Sequence, residues 1–88
     1  MNKEVIIEIN SEDGGLTAEI KFKRPDPTAL SAMNKLQKTD EVRAVDMLFT
    51  QCCVDCPEWI RDDGFLKLQV GAAALDRMSN QFTVSVKN

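Results

Sequence analysis

Three cysteines and one pair of neighbouring carboxylates are the residues of this chain whose types and spacing could do chemistry. Cys53-Val54-Asp55-Cys56 has the C-x-x-C spacing of a dithiol, with Cys52 alongside, and Asp62-Asp63 stands just before Gly64. A redox pair wants its attacking thiol at a helix N-terminus, where the dipole favours thiolate. Cys52 and Cys53 fall instead at the end of a predicted helix, where the dipole opposes it. Cys56, just before Pro57, is better placed, but one activated thiol does not make a dithiol switch. Zinc fits less well, because two of the three thiols are adjacent and the chain has no histidine. The plainer reading makes Cys52 or Cys53 a small buried core residue, in a chain that carries thiols rather than a disulfide framework.

The lack of histidine also removes Ser-His and Cys-His nucleophiles, leaving acid–base work to carboxylates or lysine. The fourteen acidic residues are scattered over polar positions. Asp62-Asp63 precedes the start of a predicted helix, so N-capping explains it more simply than a metal. Neither a G-x-G-x-x-G nor a G-K-[ST] phosphate loop occurs, and Gly14-Gly15 reads as a turn. The expectation is a protein without catalytic residues, cofactor or metal.

What must position any site is a single small domain spanning residues 1–88. Its composition, 43% apolar and 28% charged, is that of an ordinary globular domain. With four Phe, one Trp and no Tyr, its core is modest; the per-residue rule gives a net stability of about 4–13 kcal/mol. A net charge of −3 and a pI of about 4.8 argue against nucleic acid as a partner. The basic cluster Lys21, Lys23 and Arg24 reads as a solvated strand end. No apolar run approaches the ~20 residues that span a bilayer, and Met1 to Ile7 lacks the features of a signal peptide. The expected location is the cytoplasm, with no membrane partner.

The hydrophobic rhythm changes at Pro25. From Val5 to Phe22 apolar residues recur every second position, and from Leu30 to Met78 they recur three or four apart, the periods of strand and helix. Ser11-Glu12-Asp13-Gly14-Gly15 is a hairpin turn, with Asp13-Gly14 suited to the positive φ of a type I′ turn. That register sets Ile9 against Ala18, Ile7 against Ile20 and Val5 against Phe22, while Leu16 shares the second strand's apolar face. Ile6 points away from that face; it is covered by the chain's own end or marks a partner surface. Phe82-Thr83-Val84-Ser85-Val86 alternates like a third strand. Between lie a helix capped by Asp26 with Pro27 in its first turn, ending near Lys38, and a second capped by Thr39 or Asp40. The second carries Val42, Val45, Leu48, Phe49 and Cys52 inward and stops at Cys56-Pro57. A short turn through Trp59-Ile60 leads to a last helix, about Gly64 to Met78, carrying Phe65, Leu68, Ala72 and Leu75. Gly71 inside it costs ~1 kcal/mol relative to Ala, which points to close approach of another element. The fold class is α+β: an N-terminal hairpin and a C-terminal strand in a small antiparallel sheet, with three to four helices between them packed on one face.

A strand ending in Phe22-Lys23-Arg24-Pro25, a helix, a polar break, then a second helix around Ala44 to Leu48 ending in Cys53-Val54-Asp55 before Pro57 resembles the tail assembly chaperones of long-tailed bacteriophages and prophages. The resemblance covers about Ile20 to Met78. The chain departs from the pattern at Asp62-Asp63-Gly64-Phe65, where a Tyr-Pro-like turn is expected, and at Ser79-Asn80, where a closing glycine is. The resemblance implies a non-enzymatic role, binding the helical tape-measure protein during tail assembly, with the tail-tube protein as a second candidate partner. A structural tail protein of the virion is the alternative, and a cysteine-based redox or metal protein a more distant one. Trp59, Ile60 and Phe65 flank the break before the last helix, in a stretch too short to bury all three, and are the candidate partner-binding residues. The competing reading of Trp59 is that it caps the core.

Overall fold

A computed structural model describes residues 4–12 and 14–80. Strands β1 (Glu4–Asn10) and β2 (Thr17–Lys23) form the hairpin, followed by helices α1 (Pro27–Thr39) and α2 (Glu41–Cys52). A three-residue strand β3 (Cys53–Asp55), a one-turn helix α3 (Glu58–Arg61) and the long helix α4 (Gly64–Asn80) complete the order. The protein is α+β, with an antiparallel sheet in the order β1-β2-β3 and four helices among the described residues.

The hairpin has the expected parity. Val5 pairs with Phe22, Ile7 with Ile20 and Ile9 with Ala18, which keeps every apolar pair on one face. The connection closes with the Ser11 amide donating to the Leu16 carbonyl at 2.9 Å and the Gly14 amide donating to the Ser11 carbonyl at 3.0 Å. Gly14 takes a φ of 72°, the left-handed region that glycine enters without a Cβ clash. The expected type I′ turn rests partly on Asp13, which lies outside the described residues. Leu16 precedes β2 and is exposed rather than joining the strand's apolar face.

The described sheet is completed by a strand that the sequence periodicity did not predict. Phe82–Val86 lies outside the described residues, and the third strand that the structure shows is in mid-chain. Phe22 pairs with Cys53 and Lys21 with Asp55, across an irregularity between Lys21 and Phe22. Helix α2 therefore ends at Cys52, ahead of Cys56-Pro57, because the chain turns extended at Cys53 to meet the open edge of β2.

Both helix starts follow from short acidic side chains. Asp26 Oδ1 accepts from the Ala29 amide at 2.8 Å, ahead of Pro27, and Asp40 Oδ1 accepts from the Arg43 amide at 3.1 Å. The polar break between α1 and α2 is thus the single residue Asp40, which terminates one helix and caps the next. The sheet's apolar face meets α2 and α4. Phe22 is fully buried and packs edge-on to Phe49, with ring centroids 5.2 Å apart. One residue beyond β2, Arg24 Nη2 donates to the Met78 carbonyl at 3.1 Å, satisfying an acceptor in the last turns of α4. The Phe-Lys-Arg-Pro sequence therefore serves the core and a helix end.

Two positions expected on inner helix faces lie outside. Val42 is 59% exposed and Phe65 is 71% exposed. Val42 borders a groove with Gly64 and Leu68, and Gly64 has no side chain to cover it. Phe65 sits in the first turn of α4, beyond the reach of the core.

Gly71 marks the close approach that its placement predicts. A Cβ built there would sit against the Val45 side chain, 2.7 Å from Cγ2 and 3.0 Å from Cβ. Val45 is β-branched and buried, so the clash cannot be relieved by swinging a flexible tip. Gly71→Ala should therefore lose about 1–3 kcal/mol by overpacking, despite the ~1 kcal/mol that helix propensity would return. Urea unfolding measures it. In a Val45→Ala background the same change should become neutral or stabilising, and a gain of stability in the wild-type background would contradict the packing.

Candidate functional site

The core tapers along β1. Val5 is buried against Phe22, but Ile7 and Ile9, nearer the hairpin tip, are only half-buried. Opposite them runs the first half of α4, whose Leu66, Val70 and Ala73 face the hairpin without filling the gap. The result is a cleft of about 360 Å³ between hairpin and helix, with Trp59 and Leu16 at its rim. Its walls are mainly apolar, and the polar groups sit at the margin: Gln69, Ser11, and Asn10, whose Nδ2 donates to Glu8 Oε1 at 2.9 Å. A cleft of this size and composition takes apolar side chains and offers little to a polar substrate.

The three residues expected to meet a partner separate here. Trp59 is 43% exposed and lines the cleft. Ile60, its neighbour in α3, is fully buried in the core and has no surface to offer. Consecutive residues on a helix point about 100° apart, so one turn of α3 can drive Ile60 inward and leave Trp59 at the rim. Phe65 is exposed but is not among the residues lining the cleft. The sequence reading missed Ile7, Ile9, Leu66 and Val70 as lining residues, since each falls on a regular apolar face. The one available signal was Ala73 in the run Gly71-Ala72-Ala73-Ala74, where small side chains face large ones and leave space.

Asp63 caps α4, its Oδ1 accepting from the Phe65 and Leu66 amides at 3.0 and 3.2 Å. Asp63 of the carboxylate pair is thus explained by a helix start, and Asp62 ends α3. Among the described residues no three metal-ligating side chains converge, and no described helix is long and apolar enough to cross a membrane.

The cysteines divide by environment. All three are free thiols. Cys52 is buried on the inner side of α2, and Cys53 and Cys56 are half-buried around β3. Burial is the main cause lifting the Cys52 thiol above its ordinary value of 9.0, with Lys23 pulling it down and Asp26 adding to the rise. Burial also lifts Cys56, reinforced by Cys53 and opposed by Arg61.

A thiol that the fold holds protonated contributes stability in full below the unfolded chain's value. Above it the unfolded chain releases a proton that the fold retains, so stability falls as pH rises. The urea midpoint of the wild-type protein should therefore decline above a pH of 9.0. It should decline more steeply than that of Cys52→Ala, whatever the offset between the two proteins. Parallel curves would show that Cys52 does not contribute to the slope.

Compared with known proteins, the chain matches no family model, no curated protein and no solved structure.

Proposed function

We propose that this chain is a non-enzymatic tail assembly chaperone or adaptor of a long-tailed phage or prophage, acting in the bacterial cytoplasm on the tape-measure protein. One observation supports it above the rest: an apolar cleft between hairpin and α4, open to solvent and rimmed by the chain's single tryptophan. A small domain with a modest core would gain stability by closing such a gap; keeping it open suits a surface built to be covered by something else.

An amphipathic helix is the partner whose chemistry fits. Its apolar side chains recur at i, i+3 or i+4, and i+7, so one stripe can enter a groove bounded by a strand and a helix. A tape-measure chain exposes such stripes until the tube forms around it. Glu8 at the margin and the net charge of −3 favour Lys or Arg beside the stripe. The order of short motifs from Phe22 to Pro57 supports the same family.

Trp59 carries the test. Trp59→Ala should weaken binding of an amphipathic tape-measure segment, measured calorimetrically, by at least about tenfold, the ~1.4 kcal/mol that a modest hot spot contributes. The melting temperature should move by only a few degrees, because the indole is already partly in water. Phe65→Ala should leave binding unchanged. Unaltered affinity in Trp59→Ala, or its collapse in stability, would refute the assignment, and finding the chain in purified virions would favour the structural tail protein instead.

A further inference from the structure

Cys53, Cys56 and Arg61 come together where β3 gives way to α3. Arg61 Nη2 donates a hydrogen bond to Cys53 Sγ at 3.4 Å. The Cys56 thiol, three residues on, donates to the Pro57 carbonyl at 3.4 Å and is in interacting range of the Cys53 sulfur. Both residues are half-buried and border solvent, whereas Cys52 is closed off inside α2's inner face. The cleft makes no use of this group; Cys53 and Cys56 pack against the outside of the core, and Cys53 is held to Phe22 through strand pairing.

The cation changes what the C-x-x-C spacing can do. Cys53 is the C-cap of α2, where the helix dipole disfavours an anion. The Arg61 guanidinium approaches the same sulfur from α3 and places a positive charge within hydrogen-bond reach of it. Asp55 and Asp62 are the carboxylates nearest in sequence, and both are exposed to water, which screens them. Cys53–Asp55 is extended in β3 and Cys56 lies just past it, so the disulfide's Cα separation requires the chain to turn back at Asp55 and release its pairing with Lys21.

We propose that Cys53 and Cys56 form a dithiol site that undergoes thiol–disulfide exchange with low-molecular-weight disulfides of the glutathione class. The Cys53 thiolate attacks one sulfur of the small disulfide; its S–S bond breaks and one thiolate leaves, taking up a proton from solvent. Cys56 then gives its proton to solvent and attacks Cys53 Sγ in the mixed disulfide, displacing the second small thiolate, which is protonated in turn. Two protein thiols are oxidised by two electrons, and one small disulfide is reduced to two thiols. Arg61 is a positioning residue that holds Cys53 Sγ through its hydrogen bond. The site stands apart from the cleft and does not depend on what the cleft binds.

The experiment exposes the folded, full-length chain to oxidised glutathione, quenches it by acid, and maps the thiols by mass spectrometry. The expected product is one intramolecular Cys53–Cys56 bond with Cys52 still reduced, and Cys52→Ala should form the same bond. Cys56→Ser should stop at a glutathione adduct on Cys53. In Arg61→Ala the first step should slow by about threefold, the effect of losing one hydrogen bond that holds Cys53 Sγ. Arg61→Lys should recover part of that rate. Three thiols left free, a bond that includes Cys52, a bond between two chains, or an unchanged rate in Arg61→Ala would each overturn the proposal.

Discussion

Phe22 is where the separate elements of this fold are held to one another. Its backbone pairs with Val5 in β1 and with Cys53 in β3, and its ring packs edge-on to Phe49 of α2. Two residues later Arg24 ties the same strand end to the last turns of α4. Truncating a buried Phe costs about 3–5 kcal/mol, against a total of about 4–13 kcal/mol for a chain of this length. The motif that first draws attention as a possible signature is therefore explained by packing and helix capping.

With the core centred at that end of the hairpin, the opposite end is thinly covered. Along β1 the cover falls from buried Val5 to half-buried Ile7 and Ile9, while α4 presents Ala73 to them. Wherever a helix facing a strand carries small side chains, cross-sheet contacts lapse and dispersion energy is forgone. At Gly71 the small residue is matched by the close approach of Val45, so nothing is lost. At Ala73 no element closes in. The same stretch of α4 thus makes a close approach to Val45 of α2 and, two residues on, the open wall of the cleft.

Much of this was legible in the sequence, and what was not has identifiable causes. The hairpin parity could be read because two alternating runs flank Asp13-Gly14, and a slip of one residue would expose all three apolar pairs. Asp26, Asp40 and Asp63 each cap a helix, as short acidic side chains before an apolar stripe should. Gly71 announced a close neighbour. Strand β3 was invisible, because three residues show no period and Cys53-Val54-Asp55-Cys56 looks like chemistry before it looks like a strand. Val42 and Phe65 lie outside because periodicity defines a face and says nothing about where its cover stops. The cleft was hidden for a related reason: Ile7 and Ile9 occupy correct core positions, and only the missing volume opposite distinguishes them.

Exposed apolar residues alone would not single out a binding surface here. Val42, Val54, Ile6 and Phe65 all face solvent, at separate places in the fold, and isolated apolar side chains on a surface are ordinary. Trp59 differs in company rather than in exposure. Its ring borders a concavity whose floor is Ile7, Ile9 and Val70, so a partner's side chain entering there leaves water on several sides at once. Binding energy scales with such enclosed burial, which a flat Phe65 on the first turn of α4 cannot supply. The fully buried Ile60 beside Trp59 fixes α3, and a rim held by the core loses little conformational freedom when it is covered. Concavity, apolar lining and an aromatic edge coincide at that one place, and their coincidence is why the cleft, rather than the larger exposed area of Phe65, is the surface proposed for a partner.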